Sequence, residues 1–273
     1  MFKNKTIIIT GGSSGVGKAL AHRLARAGAH LSLVARDRDK LESVTRELRG
    51  IGSGQRIEGF SCDVADPDAL ETAMGQIAET MGTPHVLINS AGILREGYFE
   101  AQKLETFREV MDINFFGTLH TIRAILPYFL EAGGGRVVNI ASVAGLMGVF
   151  GYTAYCASKH AVVGLTGSLR AEFAPRNIRF HLVCPPEFNS PMVEALEGTR
   201  TPENVTMAHT IPVMTADAVA DAILRGMEKE RYEIVTGLFA RAATRADRLF
   251  PGLSRAVVDF QIRRCYRGPD SYN

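Results

Sequence analysis

Two rhythms of apolar and polar positions take turns along this chain as far as about residue 237: short β-branched runs, and longer stretches with apolar residues three and four apart. Thr6-Ile7-Ile8-Ile9-Thr10 is a run without a charged position, as expected of a strand buried on both faces of a parallel sheet. A glycine-rich turn follows, then a helical pattern through Ala27 that stops at Gly28. The alternation continues with strands over 31–34, 56–62, 86–89, 136–142, 178–183 and 233–235. Helices are predicted over 37–49, 67–81, 104–130, 154–173 and 216–229, with loops at Gly50-Ile51-Gly52-Ser53-Gly54 and Gly133-Gly134-Gly135. Strands alternating with helices over this length predict an α/β fold with a doubly wound parallel sheet of the Rossmann type, in one domain over residues 1–237. The run from Cys184 through Pro185 and Pro186 to Pro191 is stiff and helix-poor and leads into a polar and apolar mixture up to Pro212, with the character of a substrate lid at about 186–214. Residues 238–273 read as a tail of two amphipathic helices with arginines on their polar faces.

Composition narrows the classes. At 273 residues and 46% hydrophobic content, the chain can bury one sizeable core. A net charge of +2, from 31 basic and 29 acidic residues, gives no reason to expect a nucleic-acid partner. The tail departs from this balance, with seven arginines against three aspartates from Leu238 onward. Such helices pack on their own domain or a partner subunit, or lie on a membrane as a peripheral contact. The four cysteines show neither zinc-ligand nor disulfide spacing, which fits a reducing, cytoplasmic setting, and no metal site is expected. No apolar run approaches the ~18 to 20 residues that span a bilayer, so a soluble or peripheral protein is expected.

Chemistry gathers where the predicted strands end. Gly11, Gly15 and Gly17, with Ser13, Ser14 and Val16 between them, lie between a strand and a helix, where close backbone approach and free N–H groups suit a pyrophosphate. After the second strand stands Arg36, where an acidic residue would accept from a free ribose hydroxyl; arginine suits a 2′-phosphate and hence NADPH/NADP+, or else only solvates the loop. The third strand closes on Asp63 and Val64, and Asn89-Ser90-Ala91-Gly92 ends the fourth at the sheet's carboxyl edge. Asn114, amid apolar neighbours in the long helix, is either a satisfied core amide or a perturbation offering a water site. Ser142 is a turn-former or a cavity-facing hydroxyl. Tyr155 and Lys159, four apart on one helix face, form a proton shuttle in outline, because a nearby ammonium favours an ionised phenol.

These stretches, in this order, resemble the short-chain dehydrogenase/reductase family over roughly residues 4–237. The resemblance implies a nicotinamide cofactor and hydride transfer to a carbonyl. Tyr155 then protonates the carbonyl oxygen and Ser142 hydrogen-bonds it. Lys159 lowers the tyrosine pKa and holds the nicotinamide ribose, while Asn114 anchors a water. Asp63 bonds the adenine and Asn89 supports the cofactor edge. A homo-oligomer paired through the helices of Asn114 and Tyr155 is implied as well. Pro185-Pro186 stands where Pro-Gly is common, on the nicotinamide side. With Phe150-Gly151-Tyr152-Thr153-Ala154-Tyr155 and the run from Glu187 to Pro191, it resembles the 3-ketosphinganine reductase branch, which implies NADPH-dependent reduction of a long-chain lipid ketone. Leu146-Met147-Gly148-Val149-Phe150 is then expected along the acyl path. Two other readings remain: a reductase or dehydrogenase of steroid, retinoid or small ketones, and a non-catalytic dinucleotide-sensing protein.

Overall fold

The computed structural model describes residues 1–52, 54–208 and 210–266. Ser53 of the predicted loop, His209 of the predicted lid and residues 267–273 of the tail lie outside them. In chain order the elements are β1 (Thr6–Thr10), α1 (Gly15–Arg26), β2 (His30–Ala35), α2 (Arg38–Arg49), β3 (Ile57–Ser61), α3 (Pro67–Met81), β4 (Val86–Asn89), α4 (Leu104–Met111), α5 (Gly117–Glu131), β5 (Gly135–Ile140), α6 (Thr153–Phe173) and β6 (Ile178–Cys184). There follow β7 (Phe188–Asn189), α7 (Pro191–Glu194), α8 (Pro202–Ala208), β8 (Met214–Thr215), α9 (Ala216–Glu228), β9 (Glu233–Val235), α10 (Leu238–Leu249) and α11 (Pro251–Cys265).

Seven strands form one parallel sheet in the order β3-β2-β1-β4-β5-β6-β9, as the alternation predicts. Ile7, Ile8 and Ile9 of the central β1 are fully buried. Ile7 and Ile9 pack towards α1, α2 and α9, and Ile8 towards α3 and α5, so each face of the sheet has its own apolar layer. That is why the run carries no polar face. The chain winds one way from β1 to β3 and the other way from β4 onward, so the carboxyl ends of β1 and β4 flank the crevice where such sheets take ligands.

Three local departures bear on the crevice. The predicted helix over 104–130 is interrupted by a π-helical turn, Asp112–Phe116, between α4 and α5. Its cause is Asn114, drawn inward to clamp the β4–α4 loop: its Oδ1 accepts from Ile93 N at 2.8 Å and its Nδ2 donates to Ile93 O and Ser158 Oγ, both at 2.9 Å. Strand β5 ends at Ile140, two residues early, because Ser142 caps a short 3₁₀ turn, Val143–Gly145, by accepting from Ala144 N. The expected lid carries α7 and α8, which follow its helix-poor opening. Its two ends are held together by β7 and β8, paired parallel as Phe188 to Met214 and Asn189 to Thr215. No helix among the described residues is long and apolar enough to cross a membrane.

Candidate active site

At the end of β1 the backbone turns through Gly11 and Gly15, both at positive φ. A Cβ on Gly11 would fall 2.8 Å from Ala91 N, so this turn packs directly on the turn after β4, where Thr10 Oγ1 accepts from the N–H groups of Ser90 and Ala91. A Cβ on Gly17 would overlap the Gly11 carbonyl. Helix α1 therefore starts with its N–H groups against the crevice. No acidic side chain lies in its first turn and Ser14 makes no capping hydrogen bond, so these donors and the Ser14 hydroxyl fit a dinucleotide pyrophosphate.

Beside it, Arg36 follows β2 and Asp63 follows β3. These strands pair with Ala35 opposite Ser61, and the two side chains meet with Arg36 Nη1 3.6 Å from Asp63 Oδ2. Both are half-exposed. The two residues expected at a 2′-phosphate and at an adenine thus share one corner, in contact with each other. Val64 is buried against Gly117 and helix α5, away from the cavity. Asn89 also points inward: its Nδ2 donates to Asn139 Oδ1, and Asn139 Nδ2 to Thr166 Oγ1, tying β4 to β5 and α6. The Asn89 Oδ1 is buried without a partner among the described residues.

The crevice opens into a cavity of about 290 Å³ with a mainly apolar lining. Ser142, Tyr155 and Lys159 line it, together with Gly11, Ser14, Val16 and Gly92. Tyr155 is buried; burial pushes its phenol well above the ordinary value, and a hydrogen bond with Ser142 pulls the other way. Lys159 donates to Ile140 O at 3.0 Å, with Nζ 5.6 Å from the centre of the Tyr155 ring. Burial lowers its own pKa to about 8. Burial is the largest influence on the phenol, and the Lys159 ammonium is engaged by the Ile140 carbonyl. Tyr155 thus keeps its proton at neutral pH, as a donor requires. Ser142 is fixed by Pro185, whose carbonyl accepts from Val143 N at 2.9 Å and lies 3.4 Å from Ser142 Oγ. Pro185 accordingly positions a catalytic candidate and does not itself line the cavity.

Several contacts around the cavity join residues that the sequence does not bring together. Tyr152 packs edge-on against Tyr155, ring centres 5.8 Å apart, and its hydroxyl lies between Glu187 and Arg200, which form an ion pair. Thr201 donates to Glu96 and Asn204 Nδ2 to Phe150 O, so the segment holding α8 is fastened to two neighbouring loops. Met147, Gly148 and Val149 line the cavity as expected for an acyl path, whereas Leu146 packs near Ala141 and Val162, and Phe150 against Tyr98. The far wall comes from the tail, through Ala243 of α10 and Val258 and Gln261 of α11. Helix α11 rests on α8, with Cys265 Sγ 3.4 Å from Thr206 Oγ1. Packing on its own domain is therefore one thing the tail does.

A parallel doubly wound sheet with a glycine turn at its switch point and, beside that turn, a half-buried serine with a buried tyrosine and lysine defines a nicotinamide-dependent oxidoreductase acting between ketone and alcohol. Residues 5–201 match the family described as short chain dehydrogenase, and the chain belongs to that family. It is similar to the 3-ketodihydrosphingosine reductase of Dictyostelium discoideum, at 34% identity over 248 residues that cover 85% of this chain and 74% of that protein. Among solved structures it is similar to a short chain dehydrogenase/reductase from Burkholderia phymatum in complex with NAD, with a TM-score of 0.83 and 26% identity over 92% of this chain and 95% of the other. It is also similar to an actinorhodin polyketide ketoreductase with NADPH, with a TM-score of 0.78 and 28% identity over 87% and 97%.

Proposed function

We propose that this protein is an NADPH-dependent reductase of a long-chain lipid ketone, of the 3-ketodihydrosphingosine kind. The observation that carries the reading is that Ser142 and Tyr155 line the same mainly apolar cavity as Met147, Val149, Met192, Met207, Ile211 and Val258, side chains that suit an acyl chain. The name of the Dictyostelium discoideum relative supports the same substrate class. The bound cofactor would supply the hydride, held by the α1 N-terminus, Ser14, Arg36, Asp63 and Lys159. Tyr155 gives its proton to the carbonyl oxygen, Ser142 orients that oxygen, and Lys159 holds a positive charge beneath them below about pH 8. Asn114 keeps Ile93 and Ser158 in place around them, and its remaining lone pair is available to a water. Two copies paired through α4, α5 and α6, and a peripheral membrane location, complete the reading.

The experiment follows NADPH and NADH oxidation with ketones of increasing chain length. A kcat/KM that rises with chain length, and a preference for NADPH that Arg36→Ala reduces while leaving NADH unaffected, are expected. Best turnover with short or steroid ketones, or equal use of both cofactors by the parent protein, overturns the substrate or the cofactor assignment respectively. No turnover with any ketone or alcohol returns the protein to dinucleotide sensing.

A further inference from the structure

Helix α10 is inverted relative to a helix that packs for its own fold. Its inward side chains are small, Ala240 and Thr244, while Leu238, Phe239 and Leu249 are 74, 64 and 71% exposed. At 100° per residue these three, with Ala242 and Ala246, share one outward face. Helix α11 follows at once from Pro251 and repeats the pattern: Val258 and Gln261 face the cavity, and Leu253, Val257 and Phe260 face out. Six large apolar side chains on two joined helices exceed the scattered exposure of an ordinary surface.

The adjoining face of α10 is basic. Arg241, Arg245 and Arg248 line a groove of about 540 Å³ between α10 and the α9–β9 edge, which adds Arg225, Lys229 and Arg231. Glu233 is the one carboxylate in that lining, and it pairs with Arg248. The other five cations have no ion pair among the described residues. Thr236 also lines the groove, its hydroxyl buried without a partner among the described residues.

We infer that the outward face of α10 and α11, with this basic groove beside it, docks the protein on an anionic lipid bilayer. Apolar side chains enter the headgroup boundary while the arginines take lipid phosphates, each part supplying what the other lacks. A second copy of the chain fits less well, because an isologous contact through this face would bring two uncompensated basic grooves together. The surface lies on the outer side of the helices that wall the cavity, so a lipid ketone would pass from bilayer to site without crossing water. That purpose rests on the lipid-ketone reading; the docking itself rests on α10, α11 and the groove.

The test uses the full chain, sedimented with vesicles of phosphatidylcholine alone or mixed with phosphatidylglycerol, at low and at raised salt. Binding to the mixed vesicles only, released by salt, is expected. Arg241→Gln with Arg245→Gln lowers the partition by about 30-fold, from the usual contribution of a basic residue near an anionic leaflet. Phe239→Ser with Leu249→Ser lowers it as well, and both variants keep the parent's thermal midpoint. Absence of vesicle binding, equal binding to both vesicles, or variants that bind as the parent does overturns the proposal. So does a dimer that the apolar variant dissociates without loss of vesicle binding, which makes this face a subunit contact. A protein that binds anionic vesicles yet ignores long-chain ketones leaves docking intact and removes the substrate assignment alone.

Discussion

Tyr155 and Lys159 are both buried, and burial moves them in opposite senses: it keeps the proton on the phenol and loosens the one on the amine. Tyr155→Phe removes the donor while leaving the glycine turn and Arg36 untouched. Turnover is expected to fall by ~10²- to 10⁴-fold with dinucleotide affinity unchanged, as read by kcat beside a cofactor titration. Lys159 also predicts a pH dependence of stability. Its pKa is about 8 in the fold against an ordinary 10.5, so between those values the unfolded chain binds a proton that the folded chain does not. Stability therefore gains from this group as pH rises through that window, and below about pH 8 the fold carries the full cost of a buried ammonium, of order 3 kcal/mol. Lys159→Met removes that rise, and urea unfolding at pH 7 and pH 10 reads the difference. The methionine leaves the Ile140 carbonyl without its donor, which offsets part of the gain at pH 7.

The strands and helices that hold these residues were largely legible, because each buries a face whose period is written locally. Helix α3 and strands β1, β4 and β9 have the predicted bounds. Contacts between distant residues were not. The π-helical turn depends on Ile93 and Ser158 both meeting Asn114, and β7 finds β8 across the lid, so no short window of residues contains either. Of the candidate site, the glycine turn and Ser142, Tyr155 and Lys159 were readable from type and order. The inward turn of Asn89 and Val64, the meeting of Arg36 with Asp63, and the Tyr152–Glu187–Arg200 group were not. The fit of α1 against the turn after β1 makes its own prediction. Gly17→Ala places a methyl where the Gly11 carbonyl stands, which should cost ~1 to 3 kcal/mol of stability and weaken dinucleotide binding, as followed by thermal unfolding with and without cofactor.

In the molecule as a whole, the cavity is built from both ends of the chain, its floor from the strand termini and one wall from α11. If substrate enters by parting α8 from α11, locking them together should stop it. Thr206→Cys sets a second thiol beside Cys265, and oxidation should then abolish turnover of a bulky ketone until a reductant restores it, with cofactor affinity constant throughout. The order of the strands has a further consequence, for synthesis. The central strand β1 is translated shortly before its neighbours β2 and β4, so the glycine turn can pack on the turn after β4 before β5, β6 and β9 have been made. Strand β6 keeps an open edge until β9 arrives, and the cavity lacks its far wall until α11 has emerged. The turn at the switch point can therefore form well before the apolar cavity is closed, and until α11 is made that cavity stands open on one side.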